Sequence, residues 1–185
     1  MSATTSVLQQ KNAKHLIQSF SDLSYIKNPE STHIISRADG VYIYDNDGKK
    51  ILDSMSGLWC VNMGYGQSSI IDAVNEQMKE LVYYNNFFGS SHPSAIKLSE
   101  MIADKTPEGM NKVYFCGSGS EANDTVVRLV RHYWAARGKP SKSVIISRTN
   151  AYHGSTMAGA SLGGMSAMHA QGGLPIADIE HVEQP

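Results

Sequence analysis

Cysteine is nearly absent from this 185-residue chain: only Cys60 and Cys116 occur, too few for a disulfide framework or a cysteine-based zinc site. Both stand among apolar neighbours, which predicts buried thiols in a reducing compartment. An excess of charge is missing as well. With 16 Lys plus Arg against 17 Asp plus Glu, there is neither the cationic footprint of a nucleic-acid binder nor a basic membrane patch. No apolar run reaches the length of a transmembrane helix, and the Ser/Thr/Gln-rich start has no hydrophobic signal core. The seven histidines show no metal-ligand spacing, so no metal site is expected. These absences predict a soluble, intracellular, cytoplasmic protein whose ligand is a small molecule, with no nucleic acid and no membrane as partner. The length suffices for one domain with a real core, or one domain and part of another.

The most informative stretch runs from Val113 to Asp124. Val113 to Cys116 has the length and composition of a buried strand, while Ala122, Val126, Leu129, Val130 and Tyr133 recur at helical spacing. Between them lie Gly117, Ser118, Gly119 and Ser120. The first turn of a helix leaves backbone N–H groups unpaired and carries the positive end of the helix dipole, so such a junction suits an anion, most often phosphate. Glycines let the backbone approach closely and serines add hydroxyl donors. A serine N-cap ahead of an ordinary helix is the plainer reading, and the loop alone does not separate the two.

Along the rest of the chain, residues 1–11 read as a polar, frayed start, followed by a short helix through Ala13, Leu16, Ile17 and Phe20. Val41–Tyr44, a turn at 45–48 and Lys50–Leu52 form a hairpin signal. Residues 57–66 place Trp59 and Tyr65 among glycines without a clean period, as a pocket-side loop or a buried turn would. A core-packing helix spans 68–82, with Ile70, Val74, Met78 and Leu81 on one stripe. Tyr83, Tyr84, Phe87 and Phe88 crowd an irregular segment that needs cover from a ligand, a domain or another subunit. A third helix starts at Pro93 and breaks at Pro107. The helix after the cup closes at Arg137-Gly138-Lys139-Pro140, and Ser143–Ser147 supplies a second strand, giving a parallel βαβ unit. That strand opens into Asn150-Ala151-Tyr152-His153-Gly154, and ligands in open α/β sheets sit at such strand ends. The glycine-rich remainder is expected to hold no further strand.

Gly117-Ser118-Gly119-Ser120-Glu121-Ala122 also fits a dinucleotide fingerprint, which would make the chain an NADP-binding oxidoreductase domain. Against this, Ser147 and Arg148 stand where a ribose-binding carboxylate belongs, and the cup lies past the middle of the chain. A Walker loop is excluded because no Gly-Lys-Ser/Thr follows at the required spacing.

The motif Phe115–Thr125, together with Asn150–Gly154 and Gly57–Asn62, resembles the class III pyridoxal-phosphate-dependent aminotransferases, in particular their pyruvate-dependent ω-transaminases. The resemblance extends from about residue 13 to Pro185, with the motifs in consistent order. It implies an α/β, fold-type I pyridoxal-phosphate transferase, here incomplete: residues 1–56 as an N-terminal segment of the small domain, and 57–185 as the first part of the large domain with its mostly parallel sheet. The implied cofactor is pyridoxal 5'-phosphate. By resemblance, Ser118, Gly119 and Ser120 hold its phosphate, Tyr152 lies flat on its ring and His153 stands alongside. Phe20, Trp59, Phe87 and Phe88 line the substrate pocket, and the Phe87–Phe88 segment enters the neighbouring subunit's site in a homodimer. Two positions depart from the family pattern: Gly117 replaces a common asparagine and Thr149 a common tryptophan.

Transamination also needs a Schiff-base lysine and a carboxylate for the pyridine nitrogen. No lysine in this chain stands in the matching context, so it has no expected catalytic residue of its own and is predicted inactive alone. The resemblance implies transfer of an amino group from an ω-amino acid or amine to pyruvate or a similar keto acid. The competing readings are a non-catalytic cofactor-binding or interaction fragment, and the NADP-binding domain above.

Overall fold

A computed structural model describes residues 3–185, which fold into two compact units that divide between Ser91 and His92. In the first unit, helix α1 covers Ala3–His15, α2 Leu23–Ile26 and a single 3-10 turn Pro29–Ser31. Strands β1 (Ile35–Asp39), β2 (Tyr42–Asp45) and β3 (Lys50–Leu52) form an antiparallel meander in the order β1-β2-β3. The expected hairpin is there, with Tyr42 opposite Leu52 and Ile43 opposite Ile51. Its turn is closed by the Asp45 carboxylate, which accepts from Asp47 N at 3.0 Å and Lys49 N at 2.8 Å.

The start of the chain departs from the expectation. Residues 3–15 are helical, and the helix ends before Leu16, Ile17 and Phe20. What anchors α1 is polar: buried Gln9 donates to Thr32 O at 2.8 Å, and buried Thr5 donates to Asp47 Oδ1 at 2.8 Å. Apolar periodicity could not reveal a helix held by hydrogen bonds. Met1 and Ser2 lie outside the described residues.

Helix α3 is a short left-handed-containing turn, Ser56–Trp59, and α4 covers Ser68–Glu80. The apolar stripe on α4 is real, but it does not pack a core here. Ile70, Val74, Met78 and Leu81 are all exposed and line an open groove of about 400 Å³.

The second unit contains α5 (Pro93–Ala103), α6 (Gly119–Ala136), β4 (Ile145–Arg148), α7 (Met157–Leu162), α8 (Ser166–His169) and β5 (Ile179–Val182). Helix α6 stops as expected, with Gly138 at φ +71° just past Arg137. The parallel pair, however, is β4 with β5, in register from Ile145 opposite Ile179 to Arg148 opposite Val182. Residues 113–116 join neither sheet among the described residues, so the predicted βαβ unit is shifted one step along the chain: β4, the helices α7 and α8, then β5. Apolar composition marks a segment fit for a strand, but only a ladder makes it one. Ile179-Glu180-His181-Val182 escaped notice because two of its four residues are polar; its buried residue is Ile179.

Val127, Ala158, Leu162 and Ile179 form the small core between α6, α7 and β5, with Ile145 and Ile176 packed against it. Arg131 adds polar stitching: its Nε donates to Ser143 O at 3.1 Å and its Nη2 to Ala177 O at 2.7 Å, tying α6 to the entries of both strands. The two cysteines contradict the expectation of buried thiols. Both are free and exposed, because their apolar neighbours lie in unpaired segments and not in the core.

Candidate functional site

Helix α6 begins where the sequence placed the anion cup. Ser118 is its N-cap, with extended backbone at φ −159° and ψ 163°, and its Oγ accepts from Glu121 N at 3.2 Å. Gly117 N donates to Glu121 Oε2 at 2.6 Å, so one amide ahead of the helix is occupied by a carboxylate. Among the described residues, the amides of Gly119 and Ser120 donate to nothing. Both open the helix, where the dipole is positive. The capping and anion readings therefore coexist: a hydroxyl that accepts still keeps its own proton to donate. Ser118 does so toward Glu121, and Ser120 Oγ likewise accepts from Ser155 N at 3.1 Å. Two amides and two hydroxyl protons remain, a donor set matched to an anion with several oxygens, such as a phosphate.

The Ser120–Ser155 bond brings the second motif to the cup. Asn123 Nδ2 donates to His153 O at 2.6 Å, fixing the backbone beside Tyr152. Thr156 caps α7 and donates to Asp124 Oδ1 at 2.6 Å, while Gly159 N donates to the same oxygen at 3.2 Å. Gly154 lies buried against Ser120 at φ +123°. A Cβ there would sit 2.5 Å from Ser120 Oγ and 2.9 Å from Ser120 Cα, so only glycine fits. At the base of the loop, Asn150 N donates to Gly164 O at 3.0 Å and Gly164 N to Ala151 O at 2.9 Å. The structure thus brings Ser118, Gly119, Ser120, Tyr152 and His153 into one neighbourhood, with Tyr152 and His153 exposed.

Asn123 and Asp124, which join the two loops, escaped the sequence reading. Their signal was present in the run Glu121-Ala122-Asn123-Asp124: two short polar side chains in the first turns of a helix are poor helix formers, and such residues are kept where they bond to backbone elsewhere.

The four aromatic candidates belong to the first unit. All are exposed, from 65% at Phe87 to 104% at Phe88. Phe87 and Phe88 touch one another, with ring centroids 6.1 Å apart. Phe20, Trp59 and Phe88 share a rarer property: φ values of +53°, +65° and +55°. A bulky residue in the left-handed region is a true outlier, costing about 1–2 kcal/mol. Around Trp59, Ser56, Gly57 and Leu58 are left-handed too, so the segment holds four such residues in succession.

Comparison with known proteins follows the same lines. The family described as aminotransferase class-III matches residues 25–185. The chain is 54% identical over 183 residues to a putrescine–pyruvate aminotransferase of Pseudomonas aeruginosa, covering 99% of this chain and 40% of that protein. Among solved structures, a transaminase from the marine bacterium Virgibacillus superposes with a TM-score of 0.91 at 39% identity, covering 96% of this chain and 40% of the other. A tryptophan-to-glycine variant of a thermostable ω-transaminase, engineered for asymmetric synthesis of enantiopure bulky amines, superposes with a TM-score of 0.92 at 37% identity, covering 96% and 39%. The chain spans about 40% of the length of the relatives it matches.

Proposed function

The chain belongs to the class III aminotransferases, a family of pyridoxal-phosphate-dependent fold-type I enzymes, and on that footing we propose that it supplies the cofactor's phosphate site and the aromatic wall of the amine pocket in an ω-transaminase. The observation that carries this reading is the four-donor cup at Ser118–Ser120, hydrogen-bonded to the loop of Tyr152 and His153. Pyridoxal phosphate, when bound, supplies the electron-withdrawing ring through which an amino group passes from donor to acceptor. The work of this chain is binding and orientation. Gly119 N, Ser120 N and the two serine hydroxyls would hold the phosphate, and Tyr152 and His153 would contact the ring. Residues 1–56 fall to the small domain and 57–185 to the start of the large one.

We assign the donor to the amine and ω-amino acid class and the acceptor to pyruvate. The Pseudomonas aeruginosa relative, by its name, uses putrescine and pyruvate, and a diamine suits this wall: an ammonium is attracted to the faces of Trp59, Phe20, Phe87 and Phe88. Trp59 stands in the motif region and is one of only two tryptophans, which makes it our counterpart of the residue changed in the engineered variant. The full exposure of Phe88 supports a place for this segment against a second subunit in a homodimer.

No lysine takes part in the hydrogen bonds that build the cup among the described residues. The purified chain should therefore bind pyridoxal phosphate weakly, seen as a spectral shift on titration, and form no alanine from pyruvate with a panel of amines. S118A together with S120A should abolish the shift. Robust turnover by the chain, or a shift unchanged by the serine substitutions, would overturn the reading. Preference for NADPH in the same titration would favour the dinucleotide alternative.

A further inference from the structure

Trp59 is presented on a backbone that needs a restraint, and the first unit contains one. Four consecutive left-handed residues, Ser56 to Trp59, are disfavoured wherever a side chain is present, and three of them carry one. Such a turn persists only when its surroundings determine it. Here one carboxylate gathers it: Asp53 Oδ2 accepts from Gly57 N at 2.8 Å and from the Tyr65 hydroxyl at 2.7 Å, while Asp53 Oδ1 accepts from Met55 N at 3.2 Å. Tyr65 is anchored from the other side, since Tyr65 N donates to Gly40 O at 2.7 Å and Gly40 N to Tyr65 O at 3.2 Å. The far end of the turn closes on Ser56 O, which accepts from Cys60 N and Val61 N, each at 2.9 Å. Gly57 has φ +58°, and a Cβ there would stand 2.9 Å from Val61 Cγ2 and 3.0 Å from the Tyr65 hydroxyl. The phenol therefore packs directly against the turn that it helps to fix.

We propose that Asp53 and Tyr65 form a latch that holds the left-handed turn and sets where Trp59 is presented, making them positioning residues for amine selection. The amine part of this statement rests on the reading of Trp59 as a pocket residue; the latch does not. Neither residue needs to touch substrate. Asp53 acts through Gly57 and Met55, and Tyr65 acts through Asp53.

The test uses the chain with Trp134→Phe, which leaves Trp59 as the sole tryptophan. Its time-resolved anisotropy reports motion of that one side chain. In D53A the amplitude of the sub-nanosecond decay should rise about twofold, with a smaller rise in Y65F, because an exposed side chain reorients in picoseconds to nanoseconds once its turn no longer restrains it. The two changes together should give no more than D53A alone, since Tyr65 works through the carboxylate. Circular dichroism serves as the control for folding. If both variants stay folded and the Trp59 decay is unchanged, the latch is wrong. Should D53A fail to fold, Y65F, which removes one oxygen, decides by the same readout. In the complete enzyme, the kcat/KM ratio of a bulky aryl-alkyl amine to putrescine is then compared for Trp59→Ala and Y65F. A shift in both supports the whole proposal. A freed Trp59 with the amine ratio unmoved in both keeps the latch and retires the pocket reading. A ratio moved by Trp59→Ala but not by Y65F overturns the assignment to amine selection.

Discussion

The loop that carries Tyr152 and the turn that carries Trp59 present aromatic side chains by opposite means. Tyr152 stands on a loop stapled to a neighbouring helix at several points: Ser120 to Ser155, Asn123 to His153, Asp124 to Thr156 and Gly159. Trp59 stands on a strained turn gathered by one carboxylate and one phenol. The first arrangement divides its support among three side chains at the start of one helix, Ser120, Asn123 and Asp124. The second adds to its backbone bonds, Trp59 N to Met55 O at 2.8 Å among them, one side-chain pair through which position can be changed. On the proposed reading the division follows the ligands, because the cofactor is common to the family while the amine is not.

Gly154→Ala should show the largest effect, since it attacks the stapled side where no adjustment is open. The added Cβ meets Ser120 at 2.5–2.9 Å on a φ of +123°. A loss of about 2–3 kcal/mol in stability is expected, measured by urea unfolding. Binding of pyridoxal phosphate should weaken by about tenfold or more, as each 1.4 kcal/mol is one decade. Wild-type binding in this variant would mean that the two loops need not touch. Asp124→Ala comes next, at about 1.5 kcal/mol, the low end for hydrogen bonds to a charged group because Asp124 is only half-buried. Asp124→Asn should cost less, since an amide oxygen can still accept from Thr156. A loss in Asp124→Ala as large as that in Gly154→Ala would show the staples to be a single joint and erase the contrast.

How much of this was legible in the sequence follows the same divide. The helix start at Ser118 was readable because it has a chemical grammar, a serine cap with an apolar stripe behind it. The hairpin at Tyr42–Leu52 was readable for the same reason. What escaped was whatever depends on a distant partner. Residues 113–116 have strand composition without a ladder, and β5 has a ladder without strand composition. Thr5 and Gln9 look like a frayed tail until Asp47 and Thr32 are seen beside them. The left-handed backbone at Phe20, Trp59 and Phe88 leaves no trace in residue type at all, because aromatic residues are the last that propensity would place there.

Phe88 is fully exposed, so Phe88→Ala should change the stability of the chain by no more than about 0.5 kcal/mol in urea unfolding. Phe88→Gly should be more stable than Phe88→Ala by about 1 kcal/mol, because its φ of +55° costs glycine nothing. Such a gain separates a residue kept for function from one kept for folding. If Phe88→Ala is strongly destabilising, the aromatic belongs to the fold and the contrast with the cup fails.

The smallest expected effect is a dependence on pH, and it isolates the latch. The Tyr65 hydroxyl is the chief cause holding the Asp53 carboxyl below its ordinary 3.8, with the amides of Gly57 and Met55 adding to it against partial loss of hydration. The same hydrogen bond holds the Tyr65 phenol above its ordinary 10.0. A carboxyl with a depressed folded value contributes stability above 3.8 that is lost as pH falls through the folded value. A phenol with a raised folded value contributes stability below 10.0 that is lost as pH rises through it. The latch is therefore intact between these limits, and Trp59 anisotropy in the Trp134→Phe chain should be flat there, falling at both extremes. Asp53→Asn should remove the acid limb and Tyr65→Phe the alkaline limb. The cup, whose Ser120–Ser155 and Asn123–His153 bonds join groups that do not titrate in this range, should hold its geometry across the same window. A Trp59 profile with limbs unchanged in both variants would assign them to general unfolding and leave the turn supported by something other than Asp53 and Tyr65.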